Sequence, residues 1–155
     1  MRIQAYQPVS RLTNSPPSAP QPSNPKVDAF YRGAGATGDW MGRIDFALTG
    51  GALGLGLGAA LGVALSNHPA VVMGMTGVVG VAGAIAGHDL ARYASNLAGR
   101  VGASLDESNP VRGEALGRVA LRLGLAAAGG GLEGAAFSAL VMGAGGGLNY
   151  ALQPS

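Results

Sequence analysis

The chain contains no cysteine and little charge for its length. The lack of cysteine excludes disulfides, thiolate nucleophiles and thiolate metal ligands. Only 12% of the 155 residues are charged, whereas soluble domains carry about a quarter. Aromatic residues make up 5%, so few bulky rings are present to fill a core. The net charge of +2 is too small to indicate a nucleic-acid partner.

Side chains that carry reaction chemistry are equally scarce. The two histidines, His68 and His88, are separated by an apolar run of roughly 30 Å along a helix, so they cannot share a metal ion. No nucleophile, base and acid fall in a recognisable arrangement. Residues 33–38 match G-x-G-x-x-G, but no strand precedes them, as a dinucleotide-binding turn requires. We therefore predict a non-enzymatic protein without a cofactor or a metal site.

A long uncharged stretch, residues 46–87, dominates the sequence. Its two apolar limbs, residues 46–65 and 70–87, are separated by a polar turn that ends in Pro69. As helices, the limbs of 20 and 18 residues would be about 30 and 27 Å long, close to the thickness of bilayer hydrocarbon. The pattern predicts an antiparallel hairpin of two membrane helices.

Glycine recurs every fourth residue in the first limb, and small residues recur in the second. Residues four apart lie on one face of a helix, so each row forms a flat surface that lets two helix backbones approach closely. We predict that this packing surface consists of Gly50, Gly54, Gly58, Gly62, Gly80, Gly83 and Gly87. Two alternatives stay open: a hairpin buried inside a soluble helical bundle, or a segment that is disordered or forms a strand with period-two alternation.

The first 38 residues differ in composition from the rest of the chain. Residues 1–27 hold six of the nine prolines, and no acidic residue precedes Asp28. Such a segment has too little apolar surface to offset the entropy of ordering. We predict a disordered Ser/Pro-rich segment over residues 1–38 and a helical membrane-associated domain over 39–155. Trp40 suits the bilayer interface at the entrance of the hairpin; alternatively, it packs on the amphipathic region further along the chain.

The C-terminal third continues the helical pattern. We predict amphipathic helices over residues 89–128, broken near Pro110, and a glycine-rich apolar helix over 132–152. The small residues that provide the packing surface of this last helix are Ala139, Gly143 and Gly147. Alternatively, residues 115–130 and 132–152 form a second hairpin that turns at the glycines 129–131. Because Arg118 and Arg122 make the first limb a poor span, we expect it to lie on the membrane surface, with Arg112, Arg118 and Arg122 on its wet or headgroup-facing side.

Charge placement indicates one orientation for the hairpin. All ten Lys and Arg residues lie within residues 2–43 or 92–122, and the turn between the limbs has none. The flanks should therefore stay on the cytosolic side while the turn crosses.

Two resemblances follow from these motifs. The glycine row of residues 50–62 and the glycines of 74–87 resemble the glycine-zipper hairpins of small bacterial membrane proteins. The acid-free, Ser/Pro/Gln-rich start before such a hairpin resembles type III secreted effectors that insert into a host membrane. This resemblance implies export through the N-terminal segment and residence in a target membrane, and it implies no catalytic residues.

Together these observations predict an all-α fold: a glycine-zipper helical hairpin, amphipathic helices and a third glycine-rich apolar helix, after a disordered N-terminus. We expect a secreted bacterial protein that resides in a target membrane, with the lipid bilayer as its main partner. A homo-oligomer formed through the glycine zippers and a host protein are further candidate partners. The alternative functions are a permeabilising protein, such as a bacteriocin, holin or translocator, and a soluble helical interaction module.

Overall fold

A computed structural model describes residues 24–66 and 68–154. Three long helices account for nearly all of them: α1 (Pro25–Leu65), α2 (Pro69–Leu105) and α3 (Pro110–Ala151). No strand occurs in this part of the chain. The predicted all-α fold is confirmed.

Each helix begins in the same way, with a polar cap followed by proline. Proline fits the first helical position because its φ angle is already helical and the N–H it lacks would have no partner there. The side chain of each cap accepts a hydrogen bond from a backbone N–H of the first turn; the caps are Asn24, His68 and Asn109.

The start of α1 differs from the predicted boundary. Residues 25–38 are helical, whereas the sequence suggested disorder as far as residue 38; residues 1–23 lie outside the described part. The small residues of this segment pack against α3, with Gly35 against Ala115. Tertiary packing thus outweighs the weak helix propensity of a glycine-rich segment. Asp39 forms an ion pair with Arg43 one turn along α1.

The third helix reverses direction at Gly131. This residue has φ 60° and ψ −151°, a conformation that glycine adopts without steric strain. Both ends of α3 contact the start of α1: Asn109 Nδ2 donates to Asp28 Oδ1 at 3.0 Å, and Asn149 Nδ2 donates to the carbonyl of Ala29 at 2.6 Å. Helix α3 is therefore a hairpin of two limbs, α3a (110–130) and α3b (132–151), which is the alternative that the sequence left open.

These contacts divide the molecule into two parts. In the upper part, residues 46–87, α1 and α2 contact each other, and we call it the apolar hairpin. In the lower part, residues 25–45 and 88–105 pack with both limbs of α3, and we call it the four-helix base. Helix α1 alone has 41 residues and is about 61 Å long, roughly twice the thickness of bilayer hydrocarbon.

The interior is built from small residues, and the large apolar side chains point outward. Among the described residues, the buried apolar side chains are only alanines and two methionines, and the buried polar residues include Arg122 and two serines. The apolar stripe predicted on residues 89–105 is exposed, with Leu97 at 51% and Leu105 at 82%. The row that packs inward on this helix consists of Ala91, Ser95, Gly99 and Gly102.

A group of hydrogen bonds to the Asp106 carboxylate closes the turn between α2 and α3. Arg112 Nε donates to Asp106 Oδ2 at 2.7 Å, and Ser108 Oγ donates to Oδ1 at 2.6 Å. These hydrogen bonds lower the pKa of Asp106 to about 2, and the one from Arg112 has the largest effect. Because the folded chain favours the ionised carboxylate, this contact stabilises the fold fully above the unfolded pKa of about 3.9. The stabilisation is lost as the pH falls from there to about 2.

We predict that the Asp106 carboxyl titrates near pH 2 in the folded chain. The measurement is a carbon-detected NMR titration of the full chain in detergent micelles. Arg112→Gln removes the largest cause of the shift, so it should raise the midpoint toward about 4. Arg100→Gln, a change on the exposed face of α2, is the control and should leave the midpoint unchanged. A wild-type midpoint near 4 would contradict this assignment.

Candidate membrane hairpin and its polar base

Each of the three helices is long enough to cross a membrane, and each contains an 18-residue window that is apolar enough to do so. The window in α2 is the least buried of the three, since only 6% of its residues are buried. Length and composition therefore support association with a membrane. The apolar hairpin meets both criteria without a single charged residue between Phe46 and Gly87.

The predicted glycines of the apolar hairpin lie where α1 meets α2. Gly50 faces Gly83, Gly54 faces the backbone of Val79, and Gly62 faces Val72. Because glycine has no side chain, the two backbones contact each other directly, as in small-xxx-small packing.

A Cβ atom at Gly58 would lie 2.5 Å from the carbonyl oxygen of Met75, so alanine does not fit there without separating the helices. From α2, Gly80 contacts the side chain of Leu55, and Gly87 contacts the backbone of Phe46. The contact therefore extends along the whole length of the hairpin.

The predicted packing residues of α3b are placed differently. Ala139, Gly143 and Gly147 are exposed, and a Cβ atom added at either glycine would meet nothing within 4 Å. The row one position earlier faces α1 instead; it consists of Ser138, Met142 and Gly146.

The reason for this difference is the shape of the opposing helix. Helix α1 presents Gly38 at this level, and a Cβ atom there would lie 2.7 Å from the sulfur of Met142. A methionine filling the space over a glycine is typical of its adaptable side chain. The sequence shows small residues at every fourth position of this limb, but the row with the smallest residues is not the row that packs against α1.

Ion pairs gather directly below the apolar hairpin. Arg122 Nη1 lies 2.6 Å from Asp45 Oδ2, and Arg118 Nη2 lies 2.5 Å from Glu114 Oε1. The second pair has the i,i+4 spacing that favours an ion pair along a helix. Arg122 was expected to face water, and that expectation was wrong: the residue is buried at 9% exposure because it turns toward the carboxylate of α1.

A small, partly open cavity lies in this charged region. It measures about 20 Å³, and its lining includes Asp39, Ser95, Arg118 and Arg122. Each of these side chains holds a buried atom that has no hydrogen-bond partner in the described residues: Asp39 Oδ1, Ser95 Oγ, Arg118 Nε and Arg122 Nε. A site of this size and polarity suits one buried water molecule.

A much larger cavity opens where the apolar hairpin meets the turn of α3. It measures about 640 Å³ and is bordered by Arg122 and Asp45 on its charged side. Apolar and small residues form its other walls; they are Phe46, Leu48, Leu125, Ala126, Gly129, Gly130, Gly134 and Phe137. Thr49 and Ser138 add hydroxyl groups.

The glycine motif at residues 33–38 is part of a helix and not of a phosphate-binding loop. Gly33 packs against Gly145 and Gly38 against Met142, so the motif forms the contact between α1 and α3b. Within residues 24–66 and 68–154, no group of three or more His, Asp and Glu side chains is arranged to hold a metal ion.

No family model matches the chain, and no curated protein or solved structure shows significant similarity to it.

Two glycines of α1 provide a matched test of the backbone contact. Gly56 faces outward with nothing within 4 Å of an added Cβ atom, whereas Gly58 faces α2. We predict that Gly56→Ala stabilises the fold by about 0.5–1 kcal/mol, because alanine favours a helix more than glycine does. Gly58→Ala should destabilise it by about 1–3 kcal/mol, because the new methyl group overpacks the contact.

The measurement is the free energy of unfolding in detergent micelles, followed by circular dichroism. Equal stabilisation by the two substitutions would show that the backbones are not in contact at Gly58.

Proposed function

We propose that this chain is a non-enzymatic membrane protein whose apolar hairpin, residues 46–87, spans a lipid bilayer. The observation that carries the proposal is the inverted packing of the hairpin. Its inner surface is mainly glycine and backbone, with the Leu55 side chain against Gly80, while Leu48, Leu57 and Val78 point outward at 69%, 58% and 68% exposure. In water, exposing these apolar side chains would be strongly unfavourable in free energy, whereas exposing them to hydrocarbon carries no such penalty.

The positions of the aromatic residues also support a placement of residues 46–87 in the hydrocarbon. Phe46 contacts Gly87 across the lower end of the hairpin. Trp40 lies six residues before Phe46 and Tyr93 lies six residues after Gly87, so both are about 9 Å below this level. They are exposed at 63% and 69%. Exposed aromatic rings at this depth suit the headgroup layer.

The length of the helices favours one placement of the four-helix base. Hydrocarbon of about 30 Å covers only half of α1, and the uncharged half is the hairpin. Limb α3b lies beside residues 25–45, where Gly33 meets Gly145, and its start meets the hairpin at the lower end, where Phe137 and Leu48 border the same cavity. The base and its turn at residues 106–109 hold every charged residue of the described chain, and they then occupy the headgroup layer and the aqueous phase on one side.

The finer proposal is that the protein is a secreted bacterial effector of the type III class, inserted into a host membrane. It is supported by the resemblance of the N-terminal segment to export signals of such effectors. In this proposal residues 1–23 direct export, and a host protein binds the exposed base.

A reporter fused to residues 1–40 tests the export step. We expect the reporter in the medium of a strain with a type III secretion apparatus, and not in that of a strain lacking the apparatus. Retention of the reporter in both strains would contradict the effector proposal and leave the membrane hairpin unaffected.

A second candidate function, a permeabilising oligomer, is favoured by a further row of small residues on the hairpin. Ala52, Gly56, Ala60 and Ala64 occupy every fourth position of α1, and all are exposed. In hydrocarbon such a row would let a second copy pack closely. Release of a dye from liposomes would favour this oligomer, and stable insertion without leakage would favour the resident protein.

The absence of native cysteine allows a direct test of insertion. We predict that Leu57→Cys is protected from a membrane-impermeant maleimide after the chain is added to preformed vesicles, whereas Leu97→Cys reacts. The two native leucines are exposed to similar extents, 58% and 51%, so only a bilayer around the hairpin separates their reactivity. Both variants should react fully once the vesicles are dissolved and the chain is unfolded. Equal labelling of both in intact vesicles would contradict insertion.

A further inference from the structure

The large cavity at the lower end of the apolar hairpin has the features of a ligand site. Its volume, about 640 Å³, falls in the range of pockets that hold small organic ligands, roughly 300–1,000 Å³. One wall carries a cation and an anion, Arg122 and Asp45, 2.6 Å apart. The remaining walls include Phe46, Leu48 and Phe137, which are apolar.

Both charged groups keep capacity for a further partner. A guanidinium has five N–H donors, and the contact with Asp45 is made by Nη1 of Arg122. The Arg122 side chain is held in place by burial, at 10% exposure, while the Asp45 side chain is 51% exposed. A fixed cation therefore stands beside an accessible carboxylate, and a ligand that carries both signs of charge complements them.

The depth of the cavity identifies the source of such a ligand. Asp45 directly precedes the first residue of the uncharged hairpin, so the charged wall lies where hydrocarbon gives way to headgroups. The outward side chain of Leu48 continues the apolar wall upward along the hairpin. A ligand with a charged head and an apolar tail would place each part against matching chemistry.

We infer that this cavity binds a phospholipid with a zwitterionic amine headgroup, of the phosphatidylethanolamine class. The phosphate accepts hydrogen bonds from Arg122, the ammonium group donates to Asp45, and the start of the acyl chains lies against Phe46, Leu48 and Phe137. The inference rests on the proposed membrane function, because it takes the hairpin to lie in lipid.

The chain offers a matched pair of carboxylates for the test. Asp45 borders the cavity, whereas Asp89 lies at a similar level on α2, is 69% exposed and does not line the cavity. Asp45→Asn removes the partner of the ammonium group and leaves Arg122 without a counter-charge, so it should favour an anionic headgroup. Asp89→Asn makes the same change in net charge outside the cavity.

The experiment is native mass spectrometry of the full chain in detergent, incubated with equimolar phosphatidylethanolamine and phosphatidylglycerol of identical acyl chains. Wild type should retain phosphatidylethanolamine in preference. Asp45→Asn should shift the ratio toward phosphatidylglycerol by about two- to fivefold, the range that follows from one partly exposed ion pair. Asp89→Asn should keep the wild-type ratio.

A second pair of variants tests occupancy of the cavity itself. A Cβ atom at Gly130 or Gly124 meets nothing within 4 Å, but only Gly130 lines the cavity. Gly130→Leu should therefore abolish retention of both lipids, whereas Gly124→Leu should retain them, with equal helicity by circular dichroism. Glycerophosphoethanolamine, which has the headgroup without acyl chains, should not be retained.

The inference is overturned if wild type and Asp45→Asn retain the two lipids in the same ratio, or if Gly130→Leu binds as much lipid as Gly124→Leu. Retention of glycerophosphoethanolamine as strongly as the lipid would also overturn it. These outcomes are independent of the maleimide test: protection of Leu57→Cys together with an unchanged lipid ratio removes the lipid site and keeps the membrane hairpin.

Discussion

Direct contact between the backbones of α1 and α2 is the constraint on which the rest of the structure depends. Gly50, Gly54, Gly58 and Gly62 bring the two helices so close that each of these residues lies against the backbone of α2. Most leucines and valines of both limbs are therefore turned outward. Interior glycines each cost a helix about 1 kcal/mol relative to alanine in water. A lipid environment compensates for this, because it enforces backbone hydrogen bonding and accepts the outward apolar surface.

The four-helix base follows the same packing rule with a different interior. It also brings helices together through small residues, but its centre holds charged and hydroxyl groups, with Arg122 and Ser95 buried. Buried charges need partners, and Asp45 supplies one for Arg122. The molecule therefore combines an uncharged hairpin that suits hydrocarbon with a paired polar interior directly below it. The charged wall of the large cavity lies at the junction of the two.

The sequence predicted those features that depend on local patterns. The missing charges and Pro69 located the two limbs and their turn, whereas the reversal at the glycines 129–131 was an alternative and not the preferred prediction. Features that depend on distant partners were not predictable. The helical state of residues 25–38 requires α3, and the buried state of Arg122 requires Asp45. The packing row of α3b was displaced by one residue because Met142 fills the space over Gly38, a relation that one helix alone does not contain.

The most direct test of the central claim is a depth profile of the apolar hairpin in a bilayer. Nitroxide labels at the outward positions 48, 57, 65, 73 and 81 report depth through their relative accessibility to oxygen and to a water-soluble nickel complex. Hydrocarbon around the hairpin predicts a profile that is deepest near position 57 on α1, shallows toward the turn, and deepens again down α2. High accessibility to the nickel complex at all five positions would place the hairpin in water and contradict the account.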